Sequence, residues 1–415
     1  MRPTRAAWTT LAVLTFVNLL NYVDRLVVPA VGESIKHSEL HTTDAQFGAL
    51  ASAFLVVYMC TAPFFGALGD RPGRTRVIGA GVAVWSAATA LAGLAGSYAM
   101  LLVARATVGI GEAAYAALAP AILADAFPER LRGRIFAIFY AAIPVGSALG
   151  YLVGGLMDRH FGWRAAFFVA GAPGLVLAIA TAALRDPRIG ESDTAAEPAT
   201  PVPAGFRAYG LLTRNAPYLL TVLGYAAYTF ALGGIAVWMP TFLIRVRGVA
   251  AVAANTQLGL VLVVTGFVGT FAGGWLADLL RRRTRQAGLW VSGVATLIGA
   301  PLAYIALTVP GAHAYWGALI AAEVLLFIST GPINAAIVSD VPAAARAAAM
   351  AASILAIHTL GDVPSPWLIG VISDASSLSI AVRIIPVAIG IAGLVWVYAA
   401  WRGEHPRERV RARPR

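Results

Sequence analysis

Four ionisable side chains lie inside apolar runs of the sequence, where a charge is costly. Asp24 and Arg25 lie in the first run. Arg105 and Glu112 lie in the fourth run. A carboxylate and a guanidinium group in such surroundings form an ion pair, and protonation of the carboxylate releases the cation to bind an anion. These residues are therefore candidates for proton uptake and anion binding. A purely structural ion pair is the alternative.

The spacing of these residues predicts that they share one buried site. Arg105, Gly109 and Glu112 follow the i, i+4, i+7 pattern that places side chains on one face of a helix. Counting residues from the ends of their apolar runs places Asp24 and Arg105 at similar depths in the membrane. The two side chains can therefore pair if the first and fourth helices are neighbours. Asp24 and Glu112 are then two proton-sensitive acids in one confined site. A proton on either acid frees Arg25 or Arg105 for an anionic ligand.

The second half of the chain carries further polar and aromatic side chains inside apolar runs. The candidates for ligand binding there are Tyr225, Tyr228, Asn334, His358 and Asp362. His358 and Asp362 lie one helical turn apart, and His358 is also a candidate for proton coupling because histidine titrates near neutral pH. The alternatives are that the two tyrosines only pack against other helices and that His358 is a hydrogen-bonded structural residue.

Composition shows which elements position these residues. The sequence is 59% hydrophobic and only 12% charged, with a mean hydropathy of +0.75, whereas a soluble domain carries about a quarter charged residues. Because a membrane-spanning helix needs about 20 apolar residues, the apolar runs predict twelve transmembrane helices in two six-helix pseudo-symmetric bundles, an all-α membrane protein. The runs lie near 8–31, 45–67, 76–95, 98–125, 133–158, 163–184, 216–243, 254–280, 287–308, 314–339, 346–374 and 383–402.

Four regions follow from this pattern. We expect an N-terminal six-helix bundle at 1–184, a linker rich in acidic residues and proline at 185–215, a C-terminal six-helix bundle at 216–402 and a basic tail at 403–415. The string GALGD at 66–70 recurs as GWLAD at 274–278, which indicates two halves that run in the same direction. Parallel halves are typical of proteins that expose a site near mid-membrane to each side in turn.

The basic residues predict the orientation in the membrane. Most of the 31 Lys and Arg residues lie in the termini and in alternate loops between apolar runs, and such residues collect on the cytoplasmic side. We therefore expect a multi-pass protein of the inner (plasma) membrane with both termini in the cytoplasm. The same placement argues against nucleic acid as the partner of this chain of net charge +11.

Other chemistry has no motif in this sequence. It contains no nucleotide-binding loop, no metal-ligand spacing and no nucleophile elbow. We expect that the protein is not an enzyme, that it binds no metal or cofactor, and that a proton gradient supplies its energy. Its expected partners are a small-molecule or lipid substrate and the membrane lipids, and we expect a monomer.

The loop after the second run resembles the signature cytoplasmic loop of the major facilitator superfamily. The string GALGDRPGRTR at 66–76 matches the pattern G-x-L-x-D-R-x-G-R-x-R. A carboxylate at a helix end can accept bonds from neighbouring helix N-termini and from arginines, and so fasten the cytoplasmic side. This predicts gate roles for Asp70, Arg71 and Arg74, and for Asp278 in the second half. A solvated basic loop is the alternative.

Further strings resemble the Spinster family of that superfamily. They are NYVDR at 21–25, RATVGIGEA at 105–113, AIPVGSALGY at 142–151 and HTLGDVPSPWLIGVISD at 358–374. The resemblance implies a transporter of amphiphilic lipids such as lysophospholipids or sphingosine phosphate, with proton coupling through Asp24 and Glu112. It also implies that Arg25 and Arg105 are their partners or phosphate ligands. Because the NYVDR string also resembles organic anion:proton symporters, a sugar-acid symporter or a drug efflux carrier is the alternative.

Overall fold

The computed structural model describes residues 4–66, 73–188, 191, 212–341 and 346–404, and within these ranges the regular structure is entirely helical. The first half forms seven helices: α1 (Arg5–Ala30), α2 (Gly32–His37), α3 (Asp44–Gly66), α4 (Arg74–Ala92), α5 (Tyr98–Ala126), α6 (Glu129–Phe161) and α7 (Trp163–Ala182). The described part of the second half forms nine: α8 (Ala216–Arg245), α9 (Ala251–Arg281), α10 (Ala287–Thr308), α11 (Ala312–Ile328), α12 (Thr330–Ser339), α13 (Arg346–Ile357), α14 (Pro364–Ala375), α15 (Leu378–Ala381) and α16 (Ile384–Glu404). A π-helical turn, His358–Asp362, separates α13 from α14.

Within the described ranges, twelve helical segments are long and apolar enough to cross a membrane, which confirms the predicted fold class. Nine of the spans are single helices. The tenth combines α11 and α12, the eleventh combines α13, the π-helical turn and α14, and the twelfth combines α15 and α16. Because hydrocarbon offers no partners to backbone groups, helices of this length satisfy their own hydrogen bonds while crossing the bilayer.

The described residues group into two compact units. The first lies within Met1–Ala199, Leu232–Val264 and Asp362–Val382. The second lies within Thr200–Ala231, Thr265–Gly361 and Arg383–Arg415. The first unit therefore holds segments from both halves of the sequence, and the four regions expected from the sequence remain a prediction.

Small residues bring the helices of the first unit close together. A Cβ atom added at Gly146 or Gly150 of α6 would lie 2.5 Å from Leu19 O or 2.7 Å from Val23 O of α1. Between α4 and α5, a Cβ atom at Gly111 would lie 2.3 Å from Gly81 O. Glycine at these positions lets backbones approach within a bilayer. This packing fixes α1 and α5, the two helices that carry the four ionisable residues.

The second unit packs by the same means around α10. A Cβ atom at Gly393 of α16 would lie 2.8 Å from Leu297 N of α10. On α9, a Cβ atom at Gly273 would lie 2.0 Å from Ile328 O of α11. These contacts hold α10 against α16 and α9 against α11.

Candidate functional site

Asp24 and Arg105 form a buried ion pair in the first unit. Arg105 Nη1 donates to Asp24 Oδ2 at 3.1 Å, and Thr89 Oγ1 on α4 donates to Asp24 Oδ1 at 2.6 Å. The side chain of Arg105 also lies over the ring of Phe54 on α3, 5.4 Å from its centroid. This is the pairing that the depths of Asp24 and Arg105 predict, and it joins α1, α3, α4 and α5 at one point.

A second ion pair joins the next residue of α1 to α5. Arg25 Nε donates to Glu112 Oε2 at 2.7 Å, with the Arg25 side chain 23% exposed and that of Glu112 fully buried. Three aromatic rings surround the guanidinium: its carbon lies 5.1 Å from the centroid of Phe54, 5.2 Å from that of Tyr22 and 5.3 Å from that of Tyr58. Faces of aromatic rings stabilise a cation without neutralising it. Arg25 therefore keeps its charge while remaining open to a ligand.

The two ion pairs, Asp24–Arg105 and Arg25–Glu112, form a network with polar atoms that are buried without a hydrogen-bond partner in the described part of the chain. These atoms are Glu112 Oε1 and Arg105 Nε, and Asn21 Nδ2, one turn before Arg25 on α1, is buried in the same way. Buried polar groups in proteins are normally paired, and an exception calls for an explanation such as a bound proton, water or ligand. The network therefore holds binding capacity that the protein itself does not use.

A cavity of about 210 Å³ in the first unit connects these residues. Its polar wall includes Arg25, Arg105 and Asp362. Its apolar wall includes Phe47 and Pro366, with aliphatic side chains from α1, α3 and α8. The structure thus brings three of the predicted binding residues, two basic and one acidic, to one cavity with a mainly apolar lining.

An aromatic layer covers this cavity at the end where α1 finishes. The buried rings of Phe47 and Trp238 meet edge to face at 5.6 Å. Trp238 Nε1 donates to Pro366 O at 3.0 Å, and Tyr151 Oη donates to Ala236 O at 2.8 Å. These bonds attach α8 to α14 and to α6, so segments from both halves of the sequence close the cavity.

Beyond the aromatic layer lies a closing cluster of charged residues, defined here as Glu33, Lys36, Asp44, Arg245 and Asp374. Arg245 Nη2 donates to Glu33 Oε1 at 2.6 Å, and Arg245 Nη1 donates to Asp44 Oδ2 at 2.7 Å. Lys36 also pairs with Asp44. The cluster therefore ties the last turn of α8 to α2 and to the first turn of α3.

Asp374 completes the closing cluster from α14. Its two carboxylate oxygens accept bonds from Asp44 N and Ala45 N, both at 2.8 Å. These amides open α3, where unpaired N–H groups and the helix dipole favour an anion. A residue far along the chain thus caps a helix of the first half and adds α14 to the contacts of this cluster.

The predicted gate residues fall in three different situations. Asp70 and Arg71 lie outside the described residues. Arg74 is buried in the first unit, where Nη1 donates to Asp125 Oδ2 at 2.6 Å and Nε donates to Asp186 Oδ1 at 3.1 Å. The side chain of Asp278, in contrast, is 77% exposed, with Arg281 at 3.9 Å.

Asp186 connects the first residues after α7 to the start of α4. Its Oδ2 atom accepts from Gly73 N at 2.7 Å and from Arg74 N at 2.8 Å. The carboxylate therefore acts as an N-terminal cap of α4 and as the ion-pair partner of Arg74. Arg74 fastens parts of the first half of the sequence to one another.

The remaining predicted residues lie in the second unit. Tyr228 is buried, its hydroxyl donates to Leu326 O at 2.8 Å and its ring lies 5.5 Å from that of Trp396. Tyr225 is half-buried with its ring 6.0 Å from that of Tyr228. Asn334 Nδ2 donates to Thr330 O of its own helix at 2.8 Å. His358 opens the π-helical turn that Asp362 ends.

The aromatic residues around Arg25 and the charged residues of the closing cluster have no motif that predicts their roles. Tyr22 lies within the NYVDR string, which was a usable signal. For Phe54 and Tyr58 the spacing alone is that of ordinary packing residues. The charges of the closing cluster occur at ends of apolar runs, where charged residues are common on any membrane protein.

Comparisons with known proteins agree with this architecture. The family model described as Major Facilitator Superfamily matches residues 13–366. Protein spinster of Drosophila melanogaster is 33% identical over 390 residues, which cover 89% of this chain and 62% of the fly protein. The chain thus spans less than two thirds of that relative. "Probable sphingolipid transporter spinster homolog 2" of Arabidopsis thaliana is 32% identical, with 88% of this chain and 80% of that protein covered.

A solved structure shares the fold. The crystal structure of a bacterial homolog to the human lysosomal transporter Spinster, in an inward-facing and unoccupied conformation, superimposes with a TM-score of 0.87. The match covers 96% of this chain and 98% of that chain at 23% sequence identity. At this identity the likeness establishes the arrangement of helices.

Proposed function

This chain belongs to the Spinster family of the major facilitator superfamily, and from that premise we propose that it carries an anionic amphiphilic lipid across a membrane together with a proton. The chain is a multi-pass membrane transporter. The substrate class we propose is a lysophospholipid or a phosphorylated sphingoid base. The observation that carries the proposal is that Arg25, paired with buried Glu112, is the partly exposed member of the network and lines the cavity.

The charges of the network suggest how a proton and an anion would bind together. With both acids ionised, Asp24 and Glu112 balance Arg25 and Arg105, so the four side chains carry no net charge. A proton on Glu112 weakens its 2.7 Å bond to Arg25 and leaves the network with one net positive charge. An anionic headgroup can then pair with Arg25, and the transporter moves proton and anion in the same direction.

The lining of the cavity favours an amphiphile over a small polar anion. Two arginines offer donors to a phosphate, and guanidinium groups bind phosphate oxygens through two parallel bonds. The rest of the wall is mainly apolar or aromatic, including Phe47, Phe54 and Pro366. A sugar acid would leave this apolar surface uncovered, whereas a lipid would cover it with its chain.

Access alternates between the two sides in this proposal. The closing cluster and the aromatic layer of Phe47 and Trp238 shut the cavity at the end where α1 finishes, so this end must open once per cycle. The distribution of basic residues supports placing both termini in the cytoplasm. The end where α1 finishes then faces the outside of the inner (plasma) membrane. We further propose that the monomer is sufficient and that the proton gradient is the energy source.

The proposal is tested by measuring movement of two substrates in proteoliposomes. Fluorescent lysophospholipid is followed by back-extraction with albumin, and labelled hexuronate is followed by filtration, each with and without an imposed pH gradient. We expect lysophospholipid movement that is faster with the gradient and absent from protein-free vesicles. Movement of hexuronate without lysophospholipid would replace the lipid proposal with a sugar-acid symporter.

The variant Arg25→Gln distinguishes transport through the cavity from lipid leakage at the protein surface. Loss of the cation should slow lysophospholipid movement at least about tenfold, because a charged headgroup loses an ionic partner in a water-poor site. The matched control is Arg185→Gln, which removes an exposed arginine paired with Glu191. Equal rates for both variants would place the lipid movement outside the cavity.

A further inference from the structure

A groove of about 960 Å³ lies in the second unit between the end of α9, the start of α10 and the second half of α11. Its walls include the aliphatic side chains of Leu279, Val294 and Ile298. Arg282 and Arg283 also line it. The groove therefore combines a long apolar wall with two cations supplied by one short loop.

The apolar wall belongs to membrane-spanning helices and faces outward. Val294 is 44% exposed and Ile298 is 51% exposed on α10, one of the twelve candidate spans. Ile298 lies about 12 Å along the helix axis from Trp290 near the start of α10. A large exposed apolar strip on a spanning helix is covered by acyl chains. Trp290, which also lines the groove, is the kind of residue that lies at the level of the headgroups.

Among the residues that the structure describes, the two arginines of the groove, Arg282 and Arg283, have no acidic partner within ion-pair distance. Glu404 lies at the same place, but its Oε1 atom accepts from Thr284 Oγ1 at 2.5 Å and from Trp290 Nε1 at 2.8 Å. The Glu404 carboxylate keeps its negative charge in these bonds, so Arg282, Arg283 and Glu404 together give the groove one net positive charge, which favours an anion.

We propose that this groove binds an anionic membrane phospholipid, with its phosphate at Arg282 and Arg283 and one acyl chain along Val294 and Ile298. Basic pockets between spanning helices on the cytoplasmic side bind acidic headgroups, and the arginine-rich loop is the kind that stays on that side. The bound lipid is a resident of the membrane, so the site is independent of the substrate proposed for the first unit.

The loop supplies a matched control. Arg281 is the last residue of α9 and Arg285 lies in the loop that follows, but both line a separate pocket with Asp340. The double variant Arg282→Gln with Arg283→Gln and the double variant Arg281→Gln with Arg285→Gln therefore remove equal charge from neighbouring positions. All four arginines are exposed, so both variants should fold.

The test is native mass spectrometry of the full chain titrated with dioleoyl phosphatidylglycerol or dioleoyl phosphatidylcholine. Removal of Arg282 and Arg283 should weaken phosphatidylglycerol binding at least about tenfold, since each cation near a bilayer surface contributes about fivefold. Removal of Arg281 and Arg285 should weaken it less than about threefold. Equal weakening, or equal affinity of the unaltered chain for the two lipids, would overturn the proposal.

A second variant examines the apolar wall without touching the arginines. Val294→Trp fills the groove and should lower the affinity for phosphatidylglycerol at least about tenfold; an unchanged affinity would show that no acyl chain lies there. Free glycerol 3-phosphate should not compete at the same concentration, because it lacks the chain. Competition would assign the groove to a soluble anion and overturn the proposal.

A variant of the first unit separates this lipid from the transported one. Arg25→Gln, which keeps the buried Asp24–Arg105 pair, should leave phosphatidylglycerol binding unchanged. A loss of binding in this variant would assign the lipid to the cavity of the first unit and contradict the groove. If the variant still binds phosphatidylglycerol and the unaltered chain does not transport lysophospholipid, the proposed function is contradicted and the groove is not.

Discussion

Arg25 Nε lies 2.7 Å from Glu112 Oε2, while the other carboxylate oxygen of Glu112 is buried without a hydrogen-bond partner among the described residues. Arg25 reaches the cavity and Glu112 does not. A ligand that pulls on Arg25 therefore changes the surroundings of Glu112, and a proton on Glu112 changes the charge that the ligand meets. This one contact would link substrate binding to protonation.

The first prediction concerns Glu112→Gln. The amide is close in shape to the carboxyl group and can still accept a bond from Arg25, but it cannot exchange a proton. We expect the rate of substrate movement to stop changing with pH between about 5 and 8. A group that exchanges a proton in each cycle is generally effective in that range. The measurement is the initial rate of lysophospholipid movement at each pH in proteoliposomes with equal pH on both sides.

The control for this variant is Glu39→Gln, which removes an exposed acid paired with Arg164. Its rates should follow the pH profile of the unaltered chain. A pH profile that survives in Glu112→Gln would transfer the coupling role to Asp24 or to His358, and Asp24→Asn and His358→Gln would then decide between them.

The second prediction is an energetic coupling between Asp24 and Arg105. Removing one member of a buried ion pair leaves the other uncompensated and costs about 3–5 kcal/mol. Asp24→Asn and Arg105→Gln should therefore each lower the thermal unfolding midpoint of the purified protein. The double variant should lose less than the sum of the two, with a coupling free energy of about 1–3 kcal/mol. Strictly additive losses would mean that the two side chains do not interact.

The third prediction concerns opening at the closing cluster. Arg245→Gln removes the cation that joins Glu33 to Asp44, so the end of the first unit where α1 finishes should open more often. The reporter is a cysteine at Ala236, which lines the cavity, introduced as Ala236→Cys in a Cys60→Ser background. We expect labelling by a membrane-impermeant maleimide, added on that side, to become about tenfold faster if the cluster contributes about 1.4 kcal/mol.

Arg164→Gln is the control for the closing cluster. Arg164 also pairs with an acidic residue, Glu39, but both side chains are partly exposed, and exposed pairs contribute only about 0–1 kcal/mol. Its labelling rate should stay close to that of the unaltered background. Similar acceleration in both variants would indicate a general electrostatic effect and not a closing contact.

The fourth prediction concerns the cap that Asp186 provides to α4. Asp186→Asn weakens the bonds to Gly73 N and Arg74 N and leaves buried Arg74 with Asp125 as its remaining acidic partner. We expect a loss of stability of about 1–3 kcal/mol, because both a helix cap and a charged hydrogen bond are weakened. Glu191→Gln, which breaks an exposed pair with Arg185, should leave the unfolding midpoint unchanged. Equal midpoints for Asp186→Asn and the unaltered chain would contradict the cap.

Much of the fold follows from the sequence, because hydrocarbon requires long apolar helices and the apolar runs are therefore easy to read. The contact between Asp24 and Arg105 also follows, since depth along a helix is a simple count of residues. The composition of the two compact units does not follow from the two halves of the sequence. The first unit also takes Leu232–Val264 and Asp362–Val382 from the second half.

The closing cluster and the partners of Arg74 could not be predicted from the sequence. Asp374 caps α3 from a position far along the chain, and no local pattern marks such a pair. Arg74 belongs to a recognisable loop motif, yet its acidic partner Asp186 lies in a region that composition marks only as a linker. The role of Tyr228 could not be predicted either, because an aromatic residue at helical spacing gives the same pattern whether it packs against a helix or binds a ligand. In the structure its hydroxyl donates to Leu326 O.

The most direct test of the account is to record the proton that accompanies the lipid. Proteoliposomes with a pH-sensitive dye inside are prepared at equal pH on both sides, and lysophospholipid is added outside. We predict acidification of the interior that depends on the lipid, is absent from Glu112→Gln vesicles and persists in Glu39→Gln vesicles. Lipid movement without any change of internal pH, or the same change in Glu112→Gln vesicles, would contradict a proton carried through Glu112.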